Sequence, residues 1–322
     1  MPDNLNSIDV VLVGAGPMAI DYAKVLKHLG VGFTVVGRSR EGIANFQEQT
    51  GVIGVSGGIS NWKKKDTKIN CGIIAVNCEA LKKTAIELMN LGIRKILLEK
   101  PAGLTSKEIH AISEHASKTK TQIFVGYNRR FYSSVMKARK LIEEDKGVSS
   151  FNFEFTEWCD QVPDHLKRSE TGKNWFLANS SHVLDTAFYL GGEPEKFYSY
   201  TSGGNDWHSK ATVFAGAGVV QSGALFSYQA NWDAPGRWKI EILTRKHRYV
   251  FCPLEKLQIL KHNATDAQFI EMDDVLDAEF KPGLYRQTEY FLRADAATFL
   301  LDIHAHYKRV ITFYEKIINP KV

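Results

Sequence analysis

The sequence has few features of a secreted, membrane-bound or metal-dependent protein. Its 322 residues include only four cysteines, which form neither a CxxC motif nor a cluster with histidine, so no metal site is expected. The N-terminal residues are polar and do not resemble a signal peptide, which argues against disulfides. No apolar run approaches the ~20 residues of a membrane helix. We therefore expect a cytoplasmic protein without a membrane partner.

A strong charge imbalance is also missing. The net charge is +5, from 41 basic and 36 acidic residues spread along the chain. The densest basic run, at 63–65, is interpreted as a solvated turn, so no nucleic-acid partner is predicted. The hydrophobic content of 44% and charged content of 24% are ordinary for a globular protein, and the length allows two domains.

The first part of the chain alternates short apolar runs with helical patterns. Because parallel neighbouring strands need crossover helices, this alternation predicts an α/β Rossmann domain at residues 1–127. Nearly continuous apolar strands fit a sheet covered on both faces. The predicted strands are 8–13, 33–36, 52–55, 71–76, 95–98 and 122–125, and the predicted helices are 17–29, 43–49, 80–91 and 106–117.

The pattern changes after about residue 128 to alternating strands with turn signals at Gly203-Gly204 and Pro235-Gly236. This predicts an α+β domain at 128–322 with an open, mainly antiparallel sheet. Its closing helices could also pack back on the first domain. The predicted strands are 150–157, 212–214, 219–228, 238–243 and 249–252, and the predicted helices are 133–144, 181–189, 285–294 and 297–318.

A glycine motif follows the first strand and opens the first helix. One glycine permits the tight turn, the second allows a pyrophosphate to approach the backbone, and Ala19 provides the small residue needed for packing. The free N–H groups of the helix N-terminus favour the pyrophosphate. The alternative is a glycine turn without a ligand. The cofactor-binding candidates here are Gly14, Gly16, Pro17 and Met18.

The end of the second strand distinguishes NAD(H) from NADP(H). An acidic residue there would bind the ribose 2′-hydroxyl, but the chain has Arg38 and Ser39 instead. Arg38 can pair with a 2′-phosphate, and Ser39 can donate a hydrogen bond to it. NADP(H) is therefore favoured, with NAD(H) still possible. The alternative is a solvated basic turn.

Two further motifs follow the predicted strands at 95–98 and 122–125. Glu99-Lys100-Pro101 ends one apolar run, and the segment GYNRRF at 126–131 follows the next. Together with the glycine motif, the segment NSSHVLD at 179–185 and the closing segment FKPGLY at 280–285, they resemble the Gfo/Idh/MocA oxidoreductase family over nearly the whole chain. Lys100 lies where parallel sheets bind ligands.

The resemblance implies a nicotinamide enzyme that acts on a sugar, cyclitol or sugar nucleotide. It implies that Lys100 orients the substrate hydroxyl, that His182 is the acid/base and that Asn128 lies near the nicotinamide. Asn77 and Glu99 are further cofactor-binding candidates. The family's second domain carries the substrate site and often the oligomer interface, so we expect a homodimer or homotetramer.

Hydride chemistry at an alcohol carbon requires a group that takes the hydroxyl proton and a cation that stabilises the developing alkoxide. His182 and Lys100 are residue types suited to these tasks. The alternatives are a surface lysine at a strand end and a capped core histidine. Asp185, one turn beyond His182, could hold the imidazole tautomer or serve as a buried hydrogen-bonding residue.

Two departures from the family pattern affect the mechanism. Ala178 stands where many members have an aspartate, and Asn77-Cys78 replaces the usual Thr-Pro. The missing carboxylate puts the standard alcohol oxidation in doubt. A glycosidase-like, non-redox enzyme that retains its nucleotide and a catalytically silent NADP(H)-binding sensor are therefore alternatives. The presence of both Lys100 and His182 argues against the sensor.

The substrate is expected to contact aromatic and basic side chains near these motifs. Aromatic faces suit a sugar ring, and basic residues suit an acidic sugar or a nucleotide diphosphate. An ordinary polar loop with a packed tryptophan is the alternative. The predicted function is an NADP(H)-dependent oxidoreductase that acts on a sugar, sugar acid or nucleotide-sugar. The substrate-binding candidates are Tyr127, Arg130, Trp158, Arg168, Lys173, Trp175 and Asp185.

Overall fold

The computed structural model describes residue 5 and residues 8–62, 69–293 and 299–320. The basic run at 63–65 and residues 294–298, in the predicted closing helices, lie outside these ranges. The chain divides into two compact units. The first comprises the described residues up to Asn128 together with Leu276–Lys308, and the second comprises Arg129–Val275 and the described residues from Arg309 onward. Across the described part of the chain, every helix is too short or too polar for a membrane-spanning segment.

The first unit contains a six-stranded sheet, which confirms the Rossmann prediction. Its strand order is β14-β5-β4-β3-β1-β2, and only the edge strand β14 is antiparallel. The order reverses between β1 and β3, the position at which such sheets form a ligand-binding crevice. The strands are β1 (Asp9–Val13), β2 (Gly32–Val36), β3 (Cys71–Ile74), β4 (Lys95–Glu99), β5 (Gln122–Gly126) and β14 (Leu301–Asp302).

Amphipathic helices connect these strands. The first helix, for example, buries Ala19, Tyr22 and Leu26 along one side. The predicted strand at 52–55 is reduced to a single bridge between Val36 and Val55. The helices are α1 (Pro17–His28), α2 (Arg40–Thr50), α3 (Ile59–Trp62), α4 (Leu81–Asn90), α5 (Ser106–Thr119), α10 (Val275–Glu279), α11 (Leu284–Leu292) and α12 (Ile303–Arg309).

Residues 276–308 lie in the first unit, the arrangement allowed for in the predicted domain division at 127/128, where the closing helices could pack back on the first domain. The His28 ring packs edge-on against Phe280 and Tyr285, at centroid distances of 5.2 and 5.4 Å. Strand β14 pairs with β5 through Leu301 and Val125. The helix predicted at 297–318 begins only at Ile303, after β14, and then runs through α12, a π-helical turn (Val310–Tyr314) and α13 (Glu315–Ile318).

The second unit contains an eight-stranded open sheet of order β13-β12-β11-β10-β6-β9-β8-β7. All neighbours are antiparallel except β6 and β9, which confirms a mainly antiparallel sheet. The strands are β6 (Ser150–Glu154), β7 (Pro194–Ser202), β8 (Val213–Val220), β9 (Leu225–Asn231), β10 (Lys239–Leu243), β11 (His247–Phe251), β12 (Gln258–Lys261) and β13 (Gln268–Phe269).

The single strand predicted at 219–228 is instead a hairpin between β8 and β9. Gly223 has a φ of +88°, and its N–H donates to the carbonyl of Val220 at 2.8 Å. A positive φ is accessible to glycine at low cost, so the chain reverses at this point. The strands β7, β12 and β13 were not predicted.

One face of this sheet forms an aromatic core beneath a helix. Phe151 and Phe153 each pack edge-on against Phe188 of α9 (Ser181–Gly191), at 5.5 Å. Such pairs add to the hydrophobic gain of burial. This packing fixes α9, which carries two of the candidate site residues. The other helical segments are α6 (Ser133–Glu144), α7 (Asp164–Lys167), α8 (Glu170–Lys173) and a π-helical turn (Phe176–Ser180).

Candidate functional site

The glycine turn after β1 is possible only with glycine at position 14. Gly14 has a φ of +127°, and a Cβ there would lie 2.1 Å from the carbonyl oxygen of Ala75. Its N–H donates to the carbonyl of Val36 at 2.9 Å. The backbone at the end of β1 is therefore clamped between the ends of β2 and β3.

The N-terminus of α1 fits a pyrophosphate. Gly16 is the N-cap and supplies no side-chain cap, and a Cβ there would meet no atom within 4 Å among the described residues. Pro17 occupies the first turn, where its missing N–H costs nothing. Gly16 and Pro17 are exposed, so this helix N-terminus is open to the kind of anion that its N–H groups and dipole favour. Met18, half-buried, follows in the same turn.

The residues after β2 have two roles. The Arg38 side chain is exposed, while its carbonyl accepts a hydrogen bond from the N–H of Gly57 at 3.1 Å. Ser39 is the N-cap of α2, and its hydroxyl accepts from the N–H of Gly42 at 3.0 Å. Capping uses an acceptor site of Ser39 and leaves its hydroxyl hydrogen able to donate.

Glu99, predicted as a cofactor ligand, is buried against α1. Its carboxylate accepts a hydrogen bond from the Tyr22 hydroxyl at 2.7 Å. Burial raises the pKa of Glu99, although Tyr22 and Lys100 act in the opposite direction. The pair links α1 to β4, directly before the half-buried Lys100. Tyr22 was missed in the sequence, where its only signal is a position on the apolar side of α1.

The remaining predicted residues of the first unit follow β3 and β5. Asn77 is exposed, and Asn128 donates from Nδ2 to the carbonyl of Pro282 at 2.9 Å. Tyr127 is buried, with its ring 5.5 Å from that of His306. The parallel register brings the ends of β1 to β5 to one sheet edge, which therefore carries Gly14, Arg38, Asn77, Lys100 and Asn128.

In the second unit, His182 is the second residue of α9 and is buried. It follows the π-helical turn Phe176–Ser180, a deviation that is frequent at functional sites. Its ring centroid lies 6.1 Å from that of Trp238. The Trp238 ring also lies 4.8 Å from the guanidinium of Arg129 and 5.3 Å from that of Arg237.

A buried carboxylate lies at the N-terminus of α9. Glu157 accepts hydrogen bonds from Nδ2 of Asn179 at 2.8 Å and from the hydroxyl of Ser180 at 2.5 Å. Burial raises the pKa of Glu157, and the hydrogen bonds from Ser180 and Asn179 partly oppose this. Glu157 was not among the predicted site residues. Trp175 is half-buried, and its indole Nε1 has no hydrogen-bond partner among the described residues.

An open cleft of about 750 Å³ lies beside Trp158, whose side chain is 49% exposed. Its charged lining residues are acidic, and neither Arg168 nor Lys173 is among them. Burial together with Glu157 and Asp233 raises the pKa of Cys159 in the cleft to about 11. This acidic lining is unfavourable for binding an anion. The acidic residues are Glu157, Asp160 and Asp233.

Residues 8–127 match the sequence model of the GFO_IDH_MocA family, described as an oxidoreductase family with an NAD-binding Rossmann fold. The N-terminal domain is therefore similar to the NAD-binding domain of this family. The rhizopine catabolism protein MocA of Rhizobium meliloti is 30% identical over 123 residues, or 38% of this chain and 36% of that protein. The aligned part thus spans about a third of the curated relative.

Solved structures show the same fold over the whole chain. Levoglucosan dehydrogenase in complex with NADH and L-sorbose has a TM-score of 0.77 at 18% identity, covering 97% of this chain and 96% of that one. UDP-N-acetylglucosamine 3-dehydrogenase GnnA from Acidithiobacillus ferrooxidans has a TM-score of 0.73 at 14% identity, covering 96% of each chain.

Within the Gfo/Idh/MocA-like segments, several predicted substrate residues contact other side chains of the protein. Arg130 and Asp185 form a buried ion pair, with 2.6 Å between Nη2 and Oδ1. Lys173 donates to Glu170 at 2.7 Å on the surface, and Arg168 is exposed at the end of α7. Ala178, which replaces the family's aspartate, is buried. The structure thus brings His182 together with Trp238 and Arg129, an arginine that was not predicted for the site.

Proposed function

We propose that the protein is an NAD(P)-dependent oxidoreductase that transfers a hydride to or from a carbon of a sugar, sugar acid or nucleotide-sugar, with NADP(H) preferred. The observation that carries this proposal is one edge of the parallel sheet. There the uncapped N-terminus of α1 and the clamped Gly14 turn share an edge with Lys100 at the end of β4. Ligands of open α/β sheets bind at this edge.

The residues at this edge fit the cofactor. The α1 N-terminus and Gly16 would hold the pyrophosphate, and the exposed Arg38 would pair with a 2′-phosphate. When bound, the nicotinamide supplies the hydride chemistry. Lys100 is assigned to stabilise negative charge on the substrate oxygen, and His182 to take or return its proton.

A carbohydrate substrate is supported by the similar structures, which are named as dehydrogenases of levoglucosan and of a UDP-sugar. The half-exposed indole of Trp158 beside the cleft offers an apolar face of the kind on which sugar rings pack. The acidic lining of the cleft suits ligand hydroxyl groups, which donate hydrogen bonds to carboxylates.

A homo-oligomer is part of the proposal. Tyr198, Tyr200 and Leu225 are 80%, 74% and 63% exposed on the outer face of neighbouring strands β7 to β9. Exposed apolar surface of this kind marks interaction sites. Light scattering after size exclusion should give a dimer or tetramer mass, and a Tyr198→Ser/Tyr200→Ser double variant should lower it. A monomer at micromolar concentration would contradict this part.

The function is tested with a panel of sugars, sugar acids and nucleotide-sugars, each with NADPH, NADH and their oxidised forms, followed by nicotinamide absorbance. We expect turnover for at least one carbohydrate, faster with the phosphorylated cofactor. Lys100→Ala is the matched control and should abolish the signal. Tightly retained cofactor without net absorbance change would favour the non-redox alternative. Binding without any turnover of the panel would favour the sensor.

A further inference from the structure

The motif at 126–131 contains two adjacent arginines, one of which is paired with a carboxylate while the other packs against aromatic rings. Arg130 is paired with Asp185 through two hydrogen bonds of 2.6 and 2.7 Å. The Arg129 guanidinium instead lies against aromatic rings, 4.8 Å from the centroid of Trp238 and 5.8 Å from that of Tyr132. Among the residues that the structure describes, no carboxylate lies within ion-pair distance of Arg129.

Arg129 is half-buried among these side chains. Burial lowers the pKa of its guanidinium, and the carboxylates of Glu255 and Glu157, beyond ion-pair distance, oppose this only partly. The cation–π contacts with Trp238 and Tyr132 compensate part of the hydration that the guanidinium loses. The Arg129 guanidinium has no hydrogen-bond acceptor among the described side chains. Its planar set of N–H donors is well matched to a carboxylate or phosphate.

Trp238 presents a second donor without an acceptor. Its indole Nε1 is buried and has no hydrogen-bond partner among the described residues. Leaving a buried donor unsatisfied is unfavourable, so such a group in a native structure calls for an explanation such as a ligand or a functional role. The Arg129 guanidinium and the Trp238 indole, which both lack an acceptor among the described side chains, are in direct contact.

The same indole is adjacent to the proposed acid/base. The His182 ring lies 6.1 Å from Trp238 on centroids, and Arg237 lies 5.3 Å from the Trp238 ring and 4.1 Å from the Trp158 ring. The side chains around Trp238 thus comprise two guanidinium groups and an imidazole. These four residues, Arg129, His182, Arg237 and Trp238, are called the Trp238 cluster.

We propose that Arg129 binds an oxyanion of the substrate, a carboxylate or phosphate oxygen, in the Trp238 cluster beside His182. The inference deepens the proposed function. It rests on that function in one respect, because the bound anion is taken to be part of the substrate. It assigns recognition of an anionic group to Arg129 instead of the exposed Arg168 and Lys173. It also reconciles an anionic substrate with the acidic cleft, because hydroxyl groups would face the cleft and the oxyanion would face Arg129.

The test measures binding without turnover. Calorimetry on the cofactor-loaded protein compares galacturonate and gluconate with their neutral parents, and a nucleoside-diphosphate sugar provides the phosphate source without a carboxylate. At least one anionic ligand should bind more tightly than its neutral parent. Arg129→Met should weaken that ligand by roughly tenfold to hundredfold, as for a lost hydrogen bond to a charged group. The affinity of the neutral parent should be unchanged.

Arg129→Lys keeps the charge but not the fork, and it should give an intermediate loss if the protein folds normally. The exposed Arg245→Met, elsewhere in the second unit, is the control for loss of one positive charge and should leave both affinities unchanged. Equal losses for anionic and neutral ligands would overturn the proposal, as would neutral parents that bind as tightly as every anion. Turnover of a neutral sugar in that case would leave the proposed function standing. Selective anion binding without turnover would support the oxyanion site alone.

Discussion

Arg130 donates to both carboxylate oxygens of Asp185, from Nη2 at 2.6 Å and from Nε at 2.7 Å, and both side chains are buried. Arg309 adds a third hydrogen bond to Oδ1 at 2.9 Å and also pairs with Glu193. The hydrogen bond to Glu193 and the charge of Asp185 keep the pKa of Arg309 above its usual value despite burial. Asp185 therefore balances two buried guanidinium groups within the second unit, which is a structural use of a residue expected to face the substrate.

Replacing Asp185 by Asn should destabilise the second unit strongly. The change leaves two buried arginines without their shared counter-charge, and breaking a buried pair in this way typically costs about 3–5 kcal/mol. Urea denaturation followed by circular dichroism measures the loss. Lys173→Ala, which removes a surface ion pair with Glu170, should change the free energy of unfolding by less than about 1 kcal/mol. Equal effects of the two changes would contradict this account.

Gly14 and Gly16 should respond differently to alanine. Gly14→Ala forces a Cβ to within 2.1 Å of the Ala75 oxygen at a φ of +127°, so it should lower stability by about 1–3 kcal/mol. Gly16→Ala meets no atom within 4 Å and should leave stability nearly unchanged. Because its methyl group would point into the space assigned to the pyrophosphate, Gly16→Ala should weaken cofactor binding. Thermal melts with and without NADPH separate the two effects. Unchanged NADPH affinity in Gly16→Ala would contradict the assignment of the pyrophosphate site to this turn.

Asp145 should make the protein acid-sensitive. Burial alone would raise its pKa, but hydrogen bonds from Tyr249, His247 and Thr244, at 2.6 to 2.8 Å, hold the pKa below its ordinary 3.8. Since the folded pKa is below the unfolded one, the carboxylate stabilises the fold above pH 3.8, and this contribution is lost as the pH falls through the folded pKa.

Tyr249→Phe tests this directly, because it removes one donor and little volume. The variant should be less stable than the parent at pH 7 by about 1.5–3 kcal/mol, the typical contribution of a hydrogen bond to a charged group. The difference should shrink as the pH is lowered below 3.8 in denaturation experiments. A difference that is constant with pH would show that the Tyr249 contact does not depend on the charge of Asp145.

The parts of the fold that were predicted correctly depend on local patterns. The strands β1 to β5 are short apolar runs between helical segments, and the Gly14 turn is predicted by the glycine motif directly after the first strand. Strand β7 was missed because its large aromatic residues Tyr198 and Tyr200 are exposed, whereas a half-buried strand normally places such residues on its buried face. Strand β14 is only two residues long and is defined by its partner β5.

The contacts that were missed at the site join residues far apart in the chain. Tyr22 and Glu99 are 77 residues apart, and Arg309 and Asp185 are 124 residues apart. No periodicity in one segment indicates such a partner. For the same reason, the sequence could not show which of Arg129 and Arg130 is neutralised, since that depends on the position of Asp185.

Cofactor preference should depend on Arg38. Arg38→Ala should weaken NADPH binding by about 1.5–3 kcal/mol, as for a lost hydrogen bond to a charged group, and should affect NADH binding much less. Fluorescence titration with both cofactors measures this. Ser39→Ala is a matched comparison, since it removes the N-cap of α2 and should lower stability by about 1 kcal/mol. Equal losses of NADPH and NADH affinity in Arg38→Ala would contradict the assignment of NADP(H).

Lys100 and His182 should both be needed for turnover, and in different ways. A positioned acid/base typically contributes 10²–10⁴-fold, so His182→Ala should lower kcat by about that factor while NADPH binding survives. Lys100→Ala should cost at least as much, because it removes charge stabilisation as well as substrate positioning. The pH dependence of kcat separates proton transfer from packing, since loss of an acid/base removes one limb of the profile. His182 is buried against Trp238, so a packing defect alone would lower stability and leave the shape of the profile unchanged. Near-full turnover in His182→Ala would make this histidine structural, and proton transfer would then be assigned to Lys100.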